Sequence, residues 1–248
     1  MRHIPNFITS LNLASGFFAI ICAVNGNLVS ASWLILAAMV FDFFDGFSAR
    51  MLKAYSGIGK ELDSLADLVS FGVAPAIIIY NLLKISLGIE GSLFVTPVDP
   101  ISLLICFSPV LMVVFAALRL AIFNTDESQA TSFKGLPTPA NALAIISLVL
   151  ASDFTGINLI NKIIKSPAAL ITLIIMLSLL MVSRLPMLSL KTTHLRFAGN
   201  EGRYIMIILI IAAILILGPA TVSLIIPVYI IISITSAVFF KQNVNAGK

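Results

Sequence analysis

The chain has 248 residues, 59% hydrophobic and 10% charged, with mean hydropathy +1.09 and a formal net charge of +4. Water-soluble globular domains carry about 25% charged residues, so an ordinary soluble domain is excluded, as are disordered, collagen-like and disulfide-framework chains. The Lys and Arg residues number 15 and are scattered, which excludes a nucleic-acid-binding face and leaves an all-α, multi-pass integral membrane protein.

A membrane helix needs roughly 20 predominantly apolar residues. Stretches that fit or nearly fit lie near 8–24, 28–48, 62–83, 101–122, 139–157, 167–183, 203–218 and 221–240, about eight helices. The first is not a cleavable signal peptide: no small-residue cleavage site follows it, and Asn6, Thr9 and Asn12 interrupt it. Cys22 and Cys106 sit inside apolar runs and read as small buried hydrophobes. Asp153 interrupts the fifth stretch, and Gly218-Pro219 separates the seventh from the eighth. With the N-terminus cytoplasmic, eight spans put 12 of the basic residues on the inner side and only Lys84, Lys162 and Lys165 outside, the asymmetry that positive charge on short loops imposes. Both termini are then cytoplasmic. No repeat or composition shift marks a second domain, so 1–248 reads as one integral membrane catalytic domain.

The chain holds seven Asp, and four of them, Asp42, Asp45, Asp63 and Asp67, fall within 26 residues. An Asp at membrane depth costs about 2.5–3.5 kcal/mol on insertion scales, and four together repel one another. Asp42 and Asp45 are three apart and Asp63 and Asp67 four apart, so each pair lies on one helix face. A turn holding Gly57 and Gly59 lets the two faces oppose. Two Asp alone would read as a solvated loop, but these four are flanked by Phe41, Phe43, Phe44, Leu65 and Leu68. All-oxygen ligation without His or Cys suits Mg²⁺ or Mn²⁺, and Mg²⁺ commonly keeps substrate phosphates among its ligands. Four shared carboxylates can hold two such ions. Gly46 and Ala49 let a ligand approach the backbone, and Arg50 offers a fork for phosphate.

The pattern Asp42-x2-Asp45-Gly46-x2-Ala49-Arg50-x8-Gly59-x3-Asp63-x3-Asp67 resembles the signature of the CDP-alcohol phosphotransferase family, over residues 42–67. The resemblance implies a family-like helical bundle that moves the phosphatidyl group of a CDP-linked lipid to an alcohol and releases CMP. It further implies a homodimer, metal ligation by the four aspartates, and Asp67 as proton acceptor. It places Gly46, Arg50 and Ser56 in the CDP pocket, with Asp42 and Asp63 beside it; Ala49 and Gly59, also in the signature, are counted with that pocket. The stretches 4–9, 118–124, 133–140 and 181–186 resemble the phosphatidylserine synthase branch, whose donor is CDP-diacylglycerol and whose acceptor is L-serine. The chain departs from that branch at Ile122, where a second basic residue is expected, and at Asn141, where a small one is expected.

A carboxylate within hydrogen-bond reach can take the acceptor hydroxyl's proton as attack begins. Asp67, one turn inside Asp63, can share the metal and face the acceptor. Arg119, Lys134, Arg184 and Lys191 are candidates for the serine carboxylate, with Arg the most apt for bidentate pairing; each also serves the inner-side charge bias. Asn124 belongs to the same candidate pocket or caps its helix, and Asn6 and Thr9 contact the CDP moiety or cap the first helix. His3 and His194 are lone loop histidines. Three alternatives stand beside this reading: another family acceptor (glycerol phosphate or inositol phosphate), a prenyltransferase with two Asp-rich motifs, and a cation transporter lined by acidic residues.

Overall fold

A computed structural model describes residues 3–52, 56–91, 93, 98–125, 133–155, 158–187 and 229. It is helical. In chain order the elements are α1 (Ile4–Val24), α2 (Leu28–Met51), α3 (Gly57–Asp67), a π-helical turn (Leu68–Val73), α4 (Ala74–Ser86), α5 (Pro100–Phe107), α6 (Val110–Thr125), β1 (Phe133–Lys134), α7 (Thr138–Thr155), α8 (Asn158–Ile164), α9 (Pro167–Val182) and β2 (Pro186–Met187).

Local chemistry sets the helix starts. Asn27 accepts a hydrogen bond from the Ser30 amide at 3.1 Å, Ser56 from Gly59 at 3.0 Å, Asp99 from Ser102 at 2.9 Å and Ser166 from Ala169 at 3.3 Å. Each satisfies one of the amides a helix N-terminus leaves unpaired. Gly26, at φ +81°, makes the tight reversal that returns α2 along α1.

Four apolar helices are long enough to cross a membrane: Ile4–Val24, Leu28–Met51, Gly57–Ser86 and Pro100–Thr125. Asn158–Ile164 and Pro167–Val182 meet at 82° and together make a fifth candidate, while Thr138–Phe154 is apolar but shorter. The chain is therefore a membrane protein with four or five such spans among the described residues. The expected stretches 8–24, 28–48, 62–83 and 101–122 each fall inside one of these helices. The expected 139–157 corresponds to α7, and 167–183 to α9, which a short helix, α8, precedes. The expected seventh and eighth spans lie outside the described residues, except for Tyr229, which is helical and buried in the core.

The hairpin of α1 and α2 forms the most extensive helix pair, and α1 also packs on α3, the π turn and α4. The π turn is the hub, touching α1, α6 and α7. Phe71, Ile78, Ile79, Leu83, Met112, Ile145, Ile146, Ile174 and Leu177 are fully or almost fully buried around it. The outward faces carry exposed Phe17, Phe18, Trp33, Phe43, Leu104 and Leu179, as expected where lipid is the solvent.

Candidate active site

The C-terminal end of α2 and the whole of α3 bring the aspartates together. One carboxylate oxygen each from Asp42, Asp63 and Asp67 lies within 4.8 Å of the others, and all three residues are half-buried. Oxygen ligands at about 2.0–2.1 Å from a Mg²⁺ ion stand about 4.2 Å apart when opposed, so small side-chain adjustments close the three around one divalent ion. Without a cation, each pair of charges at that separation repels by about 3.5 kcal/mol at an effective dielectric of about 20.

Asp45 does not join that cluster. It is 5% exposed, and its Oδ2 has no hydrogen-bond partner among the described residues. It lines a cavity of about 370 Å³ together with Pro5, Asn6, Thr9, Gly46, Ala49, Arg50, Ser56, Gly59, Lys60 and Asp63. The cavity and the carboxylate cluster meet at Asp63. A buried carboxylate oxygen left without a donor in a cavity wall is costly unless a cation or a ligand's donor group meets it, so Asp45 also fits metal or ligand binding.

The cavity gathers Asn6, Thr9, Gly46, Ala49, Arg50, Ser56, Gly59 and Asp63, all singled out in the sequence for the CDP moiety. The start of α3 contributes Ser56, Gly59 and Lys60 to its lining, and the positive end of a helix dipole favours phosphate. A side chain at Gly59 would come within 2.9 Å of Ser56 Oγ and 3.0 Å of Asn6 Oδ1. Asn6 and Thr9 do not cap α1: the N-cap position is His3, with Pro5 in the first turn, and Thr9 Oγ1 donates to Pro5 O at 3.0 Å. Contact with the cavity is the reading that holds for both.

Two cavity and cluster residues were missed. Lys60 lines the cavity, and its Nζ donates to Asn124 O at 2.9 Å. Asn12, fully buried, donates from Nδ2 to Asp67 Oδ1 at 3.4 Å. Asn6, Thr9 and Asn12 are spaced by three along α1 and so share a helix face; that spacing was the available signal.

The candidates for the serine carboxylate do not converge as a set. Arg119 is 8% exposed inside α6, packed over the Phe123 ring at 5.7 Å, and interacts electrostatically with Asp67 and Tyr229. It lies within α6, six residues before the end of that helix. Asn124 neither caps α6 nor points freely: its Nδ2 donates to Ser64 Oγ at 2.7 Å, tying α6 to α3. Arg184 is exposed just after α9. Lys134 stands in β1, opposite Pro186 of β2, two residues beyond Arg184. Gly135, at φ +77°, donates its amide to Leu185 O at 2.9 Å, and a side chain there would collide with the Met181 carbonyl. Lys191 lies outside the described residues.

A half-buried carboxylate cluster at the edge of a cavity with an Arg, a Lys and a helix N-terminus suits a phosphate-bearing ligand held with a divalent cation. The chain belongs to the CDP-alcohol phosphatidyltransferase family, whose model matches residues 2–193. It is similar to CDP-diacylglycerol–serine O-phosphatidyltransferase of Bacillus subtilis (strain 168), at 36% identity over 148 residues, covering 60% of this chain and 76% of that one. The protein of the same name from Helicobacter pylori strain J99 is 36% identical over 151 residues, 60% and 58% of the two chains. An archaetidylserine synthase of Methanothermobacter thermautotrophicus is 35% identical over 157 residues, 62% and 61% of the two chains. The chain thus spans about three quarters of the first relative and about three fifths of the other two. Membership sets aside the prenyltransferase and transporter alternatives.

Proposed function

We propose that this chain transfers the phosphatidyl group of CDP-diacylglycerol to the hydroxyl of L-serine, giving phosphatidylserine and CMP. The observation that carries the reading is the convergence of Asp42, Asp63 and Asp67 at the edge of a cavity whose other walls suit a nucleotide diphosphate. The relatives' names supply the acceptor.

Asp42, Asp45, Asp63 and Asp67 would hold two divalent ions, Mg²⁺ or Mn²⁺, which would supply positive charge to neutralise the donor's diphosphate. Arg50 and the α3 N-terminus bind phosphate oxygens, Asn6 and Thr9 flank the cytidine side, and Gly46, Ala49 and Gly59 keep the walls low enough for the nucleotide to enter. Asp67 takes the proton of the serine hydroxyl as that oxygen bonds to the lipid-side phosphorus. The bond from that phosphorus to the bridging oxygen breaks, and CMP leaves with the electron pair. The serines of the motif, Ser48, Ser56 and Ser64, have their hydroxyls engaged with backbone groups of their own helices, and no His or Cys joins the carboxylate cluster among the described residues, which favours direct displacement. Arg119, buried and within electrostatic reach of Asp67, is the candidate best placed to take the serine carboxylate, with Lys134 and Arg184 further candidates. We place the site at the cytoplasmic leaflet of a single eight-span domain with both termini inside, working as a homodimer.

The test is CMP release by purified protein supplied with CDP-diacylglycerol, Mn²⁺ or Mg²⁺, and separately serine, glycerol 3-phosphate or inositol phosphate. Release is expected with serine. Release with a phosphorylated acceptor and none with serine would assign a different acceptor.

A further inference from the structure

Asp67 has two separate demands on it, a share of the carboxylate cluster and the proton of the acceptor. Something must fix which oxygen does which. Asp67 is the last residue of α3, immediately before the π turn, where the widened backbone leaves the direction of the side chain less constrained by its own helix.

The constraint comes from α1. Asn12 is 0% exposed and donates from Nδ2 to Asp67 Oδ1 at 3.4 Å. Its backbone is held in turn: Ser70 Oγ, in the π turn, donates to Asn12 O at 3.0 Å. One turn further along α1, Gly16 lies so close to Ser70 that a Cβ there would collide with the serine's side chain and Cα. The contact therefore belongs to a place where two helices meet at backbone distance, which fixes Asn12 in angle as well as in reach. The Asn12 Oδ1 has no hydrogen-bond partner among the described residues. The end of the amide in use is the one on Asp67.

We infer that Asn12 is a positioning residue that holds one oxygen of Asp67, leaving the other aimed at the metal and the acceptor hydroxyl. This rests on the reading of Asp67 as proton acceptor. Loss of the contact leaves the carboxylate oxygen without the one side-chain donor placed on it from α1, so the group can turn within the cluster.

The experiment compares wild type, Asn12→Ala, Asn12→Ser and Ser70→Ala in detergent, measuring kcat, KM for CDP-diacylglycerol and CDP-dependent Mn²⁺ binding by electron paramagnetic resonance. Asn12→Ala is expected to lower kcat roughly ten- to a hundredfold, with donor KM and Mn²⁺ affinity within about twofold of wild type. Asn12→Ser, which keeps a short donor, is expected to recover part of the loss, and Ser70→Ala to show a smaller fall with the same pattern. Full kcat in Asn12→Ala overturns the inference. So does a parallel loss of kcat, donor affinity and Mn²⁺ binding, which would mark a purely structural residue; should Asn12→Ala fail to fold, the Asn12→Ser and Ser70→Ala pair decides on the same criteria. A wild type that ignores serine but uses another alcohol overturns the serine reading alone, and the Asn12 comparison is then read on that alcohol.

Discussion

Asp67 differs from its three companions in what surrounds it. Asp42 and Asp63 share its cluster, Asp45 faces the cavity, and Asp67 alone receives the Asn12 amide among the hydrogen bonds described here. Asp67→Asn is expected to keep CDP-lipid binding and to lose turnover by at least about a hundredfold, the lower range for general base catalysis; retained turnover in a CMP-release assay would remove Asp67 from the base role. At this scale the sequence was most legible where chemistry demands fixed spacing. The positions from Asp45 to Asp63 and the polar residues at the start of α1 meet around one cavity, with Asp42 and Asp67 in the cluster at its edge, because they occupy helix faces that periodicity reveals. The sequence was least legible where contact depends on three-dimensional approach. Asn12 reaches Asp67 across 55 residues, and Lys60 reaches the Asn124 carbonyl across 64. No local pattern marks either pair. The same limit explains the acceptor candidates, whose common property in the sequence, a basic residue near an inner helix end, also serves membrane orientation.

Among the elements, the π turn at Leu68–Val73 decides how α1, α6 and α7 pack around the cluster. Its altered hydrogen bonding frees backbone carbonyls, and Asn141 answers one of them, donating to Phe71 O at 3.3 Å from a fully buried position. That contact accounts for a polar residue where the family resemblance called for a small one. Hydrophobic periodicity identified 62–83 as one apolar span but carries no signal for a π turn within it. It likewise missed the break between α5 and α6 and the 82° bend between α8 and α9, because both halves of each are apolar. The close approach of Gly16 to Ser70 yields a prediction at this scale. Gly16→Ala forces α1 and the π turn apart and is expected to destabilise the protein by about 1–3 kcal/mol, the usual range for overpacking. Thermal unfolding in detergent checks it, and an unchanged Tm would mean that the two helices can separate without cost.

For the molecule as a whole, burial runs opposite to that of a soluble domain only on the outside. The interior around Phe71 and Ile145 is apolar and close-packed, while the periphery is also apolar, with Phe17, Trp33 and Leu104 more than half exposed. Asn6, Thr9, Asp45, Arg50 and Asp63 are gathered in one place, where α2, α3 and the first turns of α1 converge. A reporter fused after Lys248 is expected to lie on the inner side of the membrane, as the 12-to-3 division of basic residues requires; an outer location would contradict the eight-span arrangement. The central claim is that the acid groups of α2 and α3 close on a divalent ion beside a nucleotide cavity. Its most direct measurement is Mn²⁺ binding to the purified protein in the presence of CDP, by electron paramagnetic resonance, for wild type, Asp42→Ala and Asp63→Ala. Wild type is expected to bind Mn²⁺, and each variant to bind it at least about tenfold more weakly, since loss of even an outer-shell partner costs that much; equal Mn²⁺ affinity in all three proteins would contradict the claim.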